Sequence, residues 1–399
     1  LPLITIPLLA RTIGIEQLGI IKFIEAISSY FLAVISYGFR YTATQQIAQY
    51  KENKRVVGQL LGTVYTLKLV AIVLCLVVAG GLILCVPKIQ QFQTYFWTYF
   101  LVVIIHMLFP SFVFQGLDKM PWMTLTKLLA KGVLLTGVIM FIRSPADALL
   151  YHIFLGIVDL LQLIIALYAT YYLWGIRIRA PTRSMMALQL RQGLHIFLSQ
   201  LSITFYTRLP AIFLGFLVNP SSVAIYLLGV KAVRFITIMV DPFTRALFPL
   251  AHKKLAESLP AGIRFISKLA MGSLAMLVAL GGCYWLLATA IVQLLAGKVI
   301  QDAVWILKLH AFLPCMVILS NILGMGLLIP MGAGRKYTLV SWTTGLLCVG
   351  LHLALVPQLR ARGAALAILL CEGFSTAMMS WVTYRQMKVL LGQQTVKRV

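Results

Sequence analysis

The chain has 399 residues, 61% of them hydrophobic and only 11% charged, with a mean hydropathy of +0.94. A water-soluble fold cannot hide that much apolar surface, and about 20 consecutive apolar residues suffice for one bilayer crossing. Lys and Arg number 34 against 10 Asp and Glu, for a net charge of +24. In a membrane chain that excess reads first as cytoplasmic-loop charge, not as a nucleic-acid surface.

The pattern predicts an all-α, polytopic membrane protein of about twelve transmembrane helices. Long Leu, Ile and Val runs exclude the alternating short strands of a membrane barrel. In chain order the expected spans are 1–10, 19–45, 57–84, 95–114, 122–142, 148–174, 193–218, 223–248, 266–292, 303–329, 338–356 and 364–386. The first has half the needed length and no basic segment or cleavage site before it, so it is read as a truncated helix. Breakers such as Pro87, Ser144-Pro145, Asn219-Pro220, Gly332 with Gly334, and Pro357 fall between spans.

Span 19–45 carries Lys22, Glu25, Ser29, Ser36 and Arg40 along a similar face. Lys22 and Arg40 lie near its two ends and either snorkel to headgroups or serve a cavity. Glu25 is either paired with Lys22 or able to exchange a proton. Span 57–84 places Lys68 deep among apolar residues, and span 95–114 holds His106 and Pro110. A lone His on an apolar helix is more often a hydrogen-bonded core residue than a titrating one. Lys127 and Lys131 share a face of span 122–142, where they snorkel or gather anionic headgroups.

Asp159 in span 148–174 and Glu372 in span 364–386 sit at comparable depths and either neutralise cations or carry protons. Arg208 lies deep in span 193–218 and cannot shed its charge, so it expects water, an acid or an anion. Span 223–248 has the sharpest signal: Lys231, Arg234, Asp241 and Arg245 are spaced 3, 7 and 4 apart, on one helical face. An Asp241–Arg245 pair that merely holds helices together is the plainer reading of two of them. Pro242 is expected to kink this helix.

A cation at the bilayer centre costs on the order of 2.5–3.5 kcal/mol on insertion scales. So many intramembrane cations therefore point to a watery cavity, and a cavity this cationic expects an anion. The planar forks of Arg234 and Arg245 suit phosphate.

Loops holding Lys51, Lys54, Arg55, Arg177, Arg179 and Arg183 are far more basic than those holding Lys88, Arg143 and Lys298, which places both termini in the cytoplasm. His106 and Pro110 recur as His310 and Pro314, and the charged face of span 19–45 recurs in span 223–248. Two six-helix lobes follow, 1–180 and 193–399, with a basic linker at 181–192 and a pseudo-twofold axis along the membrane normal. The six Cys are isolated, with no CxxC pair, and read as packing residues rather than a disulfide or zinc framework. No phosphate loop, HExxH or nucleophile constellation is present, so neither an enzyme, a cofactor nor a metal is expected.

Several stretches resemble the Wzx-type O-antigen flippases. They are Leu1-Pro2-Leu3-Ile4-Thr5-Ile6-Pro7 running into Leu9 to Gly14, then Glu16-Gln17-Leu18-Gly19, Tyr37-Gly38-Phe39 with Thr42-Ala43-Thr44, Phe114 to Met120, and Gly193 to Tyr206 followed by Ile212 to Phe216. That family is the polysaccharide-transporter branch of the superfamily containing the MATE drug exporters and the lipid II flippase. The resemblance implies two six-helix lobes around a cavity open alternately to each side of a bacterial inner membrane. It implies a substrate of undecaprenyl-pyrophosphate bearing one oligosaccharide repeat unit, with membrane lipids and polysaccharide polymerase or chain-length machinery as partners. It implies that Lys22, Glu25, Arg40, Arg208, Lys231, Arg234, Asp241 and Arg245 face the cavity. About twelve spans rather than fourteen argues against the lipid II flippase itself.

The rival reading is a MATE-like exporter of small drugs, for which an acid-rich cavity would be expected. A membrane glycosyltransferase or polymerase would need a large extramembrane loop, and every loop here is short.

Overall fold

The computed structural model describes residues 2–233, 258–328 and 331–396, and every regular element among them is helical. Helices are the form in which a lipid-embedded chain satisfies its own backbone groups. The chain runs α1 (Pro2–Thr12), α2 (Gly14–Ser36), α3 (Phe39–Gln49), α4 (Lys54–Cys85), α5 (Pro87–Gln90), α6 (Gln93–Leu108), α7 (Ser111–Gly116), α8 (Met120–Phe141) and α9 (Leu150–Tyr168). A π turn (Ala169–Leu173) and an irregular connector at 175–182 lead into α10 (Arg183–Leu217). Then come α11 (Pro220–Val233), α12 (Leu259–Leu286), α13 (Ala288–Ala296), α14 (Gln301–His310), α15 (Leu313–Asn321), a π turn (Ile322–Leu328) and α16 (Gly334–Val396).

The chain divides into two compact units, Leu1–Ile212 and Phe213–Val399. Arg183 and Arg191, expected in the linker, belong to α10. Most of the expected span 223–248 lies outside the described residues, and with it Arg234, Asp241 and Arg245.

Eight helical stretches among the described residues are long and apolar enough to cross a membrane. The longest, Gly334–Val389, contains both expected spans 338–356 and 364–386, joined at Arg360 with φ 52° and ψ −129°. Arg360 thus does the breaking that the sequence reading gave to Pro357.

Other expected spans are broken internally. Span 19–45 divides at Tyr37 and Gly38, both left-handed (φ 42° and 81°). A Cβ on Gly38 would lie 2.8 Å from the Ile196 side chain of α10, so this turn needs glycine for both conformation and space. Span 95–114 divides at Pro110, whose missing N–H ends α6.

Helix α4 shows how the first unit divides its surface between core and lipid. Leu60, Leu61, Val64 and Leu67 bury against Phe39, Ile47, Phe112 and Ile176. Leu69, Val70, Val73, Leu74 and Val77 are exposed. That apolar face recurs at helical spacing, too extensive for water and suited to lipid. In the second unit, Ile266 and Leu277 of α12 pack on Ile318, Ile322 and Leu327.

Candidate functional site

The break at Pro110 lies beside a polar cavity of the first unit. Because Pro110 has no N–H and Ser111 donates to Phe109 instead, the carbonyls of Met107 and Leu108 are left over at the C-terminus of α6. Two side chains one helical turn apart on α4 take them up. Tyr65 Oη donates to the Leu108 carbonyl at 2.9 Å, and Lys68 Nζ donates to the Met107 carbonyl. Lys68 is only 6% exposed, and its ammonium sits 5.4 Å from the centre of the Phe112 ring. A cation is favourable at the negative end of a helix dipole and over an aromatic face.

Beside this junction lies a cavity of about 180 Å³, lined by Ser36, Arg40, Lys68, His106, Lys127, Asp159 and Gln162 among others. With the Gln115 amide oxygen turned toward Arg40, Nε and Nη2 donate to it at 3.2 and 2.7 Å, so the guanidinium is held from one side. Lys127 Nζ lies 5.6 Å from the Phe109 ring centre. The cavity's acid, Asp159, is engaged by His106 Nδ1 at 2.9 Å and by Gln162 Nε2 at 3.2 Å. Three cations from α3, α4 and α8 therefore share a small space with one carboxylate that already has partners. In such a space Arg40 and the two lysines are placed to offer charge-assisted hydrogen bonds to an anion.

Of the residues singled out in the sequence, Ser36, Arg40, Lys68, His106, Lys127 and Asp159 meet here. Lys22 and Glu25 do not line this cavity. They form an ion pair at 2.6 Å, with side chains 10% and 19% exposed and the Lys22 ammonium 5.3 Å from the Tyr151 ring centre. Arg208 is exposed on α10, whereas Lys231 on α11 and Glu372 on α16 are half-buried.

The two histidines of the internal repeat differ. His310 is fully buried and bonds the Ala365 carbonyl at 2.9 Å, as a core histidine does. His106 is exposed and pairs with Asp159, against the core-residue expectation. Lys127, read from sequence as a headgroup lysine, also turns out to line the cavity.

One signal was overlooked in the sequence. Gln192, His195, Ser199 and Ser202 are exposed on one face of α10, spaced 3, 4 and 3 apart. Lipid does not solvate such a stripe, so it implies water or polar ligand groups. Tyr37 stacks on Phe197 at 4.8 Å, and Gln46 donates to Gln192 at 2.9 Å, which fixes α10 on the α2–α3 turn.

Residues 1–253 match the family model described as polysaccharide biosynthesis protein. The chain belongs to that family. Two curated relatives carry the same name, "Putative O-antigen transporter". The one from Escherichia coli (strain K12) is 28% identical over 383 residues, covering 95% of this chain and 91% of its own length. The one from Shigella dysenteriae is 24% identical, covering 83% and 82%. Among solved structures, an inward-facing multidrug resistance transporter of the MATE family superposes with a TM-score of 0.68 at 15% identity, over 97% of this chain and 94% of its own. This polysaccharide biosynthesis family member thus has the polytopic helical fold of a MATE transporter.

Proposed function

We propose that this protein is a flippase that moves undecaprenyl-pyrophosphate-linked oligosaccharide repeat units, of O-antigen or a related polysaccharide, across the bacterial inner membrane. The observation that carries the reading is the cavity in which Arg40, Lys68 and Lys127 outnumber a single engaged carboxylate. A pyrophosphate supplies the missing negative charge. Sugar hydroxyls find partners in the Gln192, His195, Ser199 and Ser202 face, and the polyprenyl tail stays in lipid.

Family membership and two relatives named as O-antigen transporters favour a saccharide substrate over a small drug. The likeness to a MATE transporter speaks to fold alone. On its spacing, the Lys231, Arg234 and Arg245 face of the eighth span is assigned to phosphate binding, as is Arg208. Both termini are assigned to the cytoplasm, so that export runs from the cytoplasmic to the periplasmic leaflet, where polymerase or chain-length machinery receives the product. We assign ion coupling to Asp159 with His106, with Asp241 and Glu372 as further acids. Glu25, held by Lys22, is assigned to the packing of α2 instead.

The test is the pool of polyprenyl-linked intermediates in a strain lacking the protein, read by mass spectrometry. Accumulation of undecaprenyl-pyrophosphate with a single repeat unit, relieved by the intact gene and not by an Arg40→Ala variant made at normal level, is the expected result. An unchanged pool in a strain with no second flippase would remove the proposal.

A further inference from the structure

A second cavity, of about 490 Å³, is bordered by Tyr65 and Leu108, which share a hydrogen bond. That is within the roughly 300–1,000 Å³ of small-molecule pockets. Its walls include Tyr65 and Leu69 of α4, Leu108 of α6, and Leu163 and Leu167 of α9, with Arg179 of the connector as its charged group. Leu69 continues into the exposed apolar face of Val70, Val73 and Leu74, so the groove adjoins the lipid-facing surface.

Arg179 is held there by its backbone. Its N–H donates to the Gly58 carbonyl at 3.1 Å. A Cβ added to Gly62 would lie 1.9 Å from the Arg179 carbonyl oxygen, and one on Gly58 2.1 Å from that of Arg177. The connector thus lies directly on α4, and only glycine permits the approach. The Arg179 side chain is exposed and has no ion-pair partner among the described residues. Lys54 and Arg177 stand near the same connector, adding positive charge.

We infer that this groove binds an anionic glycerophospholipid, one acyl chain along Leu69, Leu108, Leu163 and Leu167 and its phosphate on the Arg179 guanidinium. The complementarity is twofold: an apolar trough that opens to lipid, and one planar, unpaired cation suited to a phosphodiester. A neutral zwitterionic lipid satisfies the trough but brings its own ammonium to the basic end. The site is separate from the Arg40, Lys68 and Lys127 cavity, and the inference does not rest on the substrate reading.

The experiment uses the full chain, purified in detergent and equilibrated with equal amounts of phosphatidylglycerol and phosphatidylcholine, with retained lipid read by native mass spectrometry. Retention of phosphatidylglycerol about fivefold above phosphatidylcholine is expected, the preference that one cation near a membrane surface confers. Arg179→Ala abolishes the preference while leaving Tm unchanged, and Leu69→Trp, which fills the trough, reduces retention of both lipids.

Equal retention of the two lipids by the unaltered chain, or an undiminished preference in Arg179→Ala, overturns the inference. So does release of the lipid by inorganic pyrophosphate, which would make this a simple anion site. Release by undecaprenyl phosphate would give the groove to a substrate tail, and a lipid-free dimer would give it to a second copy of the chain.

Discussion

Lys68 Nζ donates to the carbonyl of Met107, one turn along α4 from the Tyr65 hydroxyl that donates to Leu108. The pair closes the open C-terminus of α6 and at the same time brings a buried ammonium to the edge of the cationic cavity. Neutral Tyr65 suffices for one orphan carbonyl, so a charge at the second is not required by the helix end itself. Burying an ammonium costs several kcal/mol before its partners are counted.

Replacing Lys68 by Met therefore separates stability from function. The expected outcome is a Tm in detergent close to that of the parent, because relief from burying an ammonium offsets the loss of the hydrogen bond to the Met107 carbonyl. Surface-polysaccharide output should fall about tenfold, since a hydrogen bond to a charged group contributes about 1.5–3 kcal/mol. A lower Tm with normal output would assign Lys68 to structure alone.

The Lys22–Glu25 pair is expected to behave the opposite way. With both side chains largely buried, Glu25→Gln leaves an uncompensated cation and should destabilise by about 3–5 kcal/mol. A Lys22→Met, Glu25→Leu double variant should recover most of the lost Tm and retain export. Loss of export from a stable double variant would restore Glu25 as a proton carrier.

The His106–Asp159 contact predicts non-additivity. Asp159→Asn and His106→Gln should each impair export, and the double variant should be little worse than the poorer single one, because both remove one interaction. The measurement is a double-mutant cycle on polysaccharide output. Full additivity would separate the two residues' roles.

At Gly62 the expected effect is mechanical. Gly62→Ala puts a methyl where the Arg179 carbonyl oxygen sits, so connector and α4 must part. Overpacking of this kind typically costs about 1–3 kcal/mol. Trypsin should then cut after Arg177 or Arg179 faster than in the parent chain, while Gly132→Ala, with open space around its Cβ, should not change the cleavage rate.

Length, hydropathy and charge placement made the membrane class legible, because the apolar length needed to span lipid is a local property of the chain. The same locality exposed intramembrane cations and acids one by one, including Arg40, Lys68 and Asp159. It also suggested the Lys22–Glu25 pair, since residues three apart on a helix are neighbours whatever surrounds them.

Tertiary structure decided the rest. Helical periodicity says which residues share a face, not which faces meet across helices. Only packing brought Lys127 of α8 into the cavity with Arg40 of α3 and Lys68 of α4. Only packing separated His106, beside Asp159, from its repeat partner His310, sealed against Ala365. Whether a polar side chain in a span lines water or completes a core depends on carbonyls and carboxylates supplied from distant parts of the chain. Pro110 stood in the sequence inside one unbroken expected span; the break that frees the carbonyls of Met107 and Leu108, and the Tyr65 and Lys68 side chains that answer them, came only with the fold.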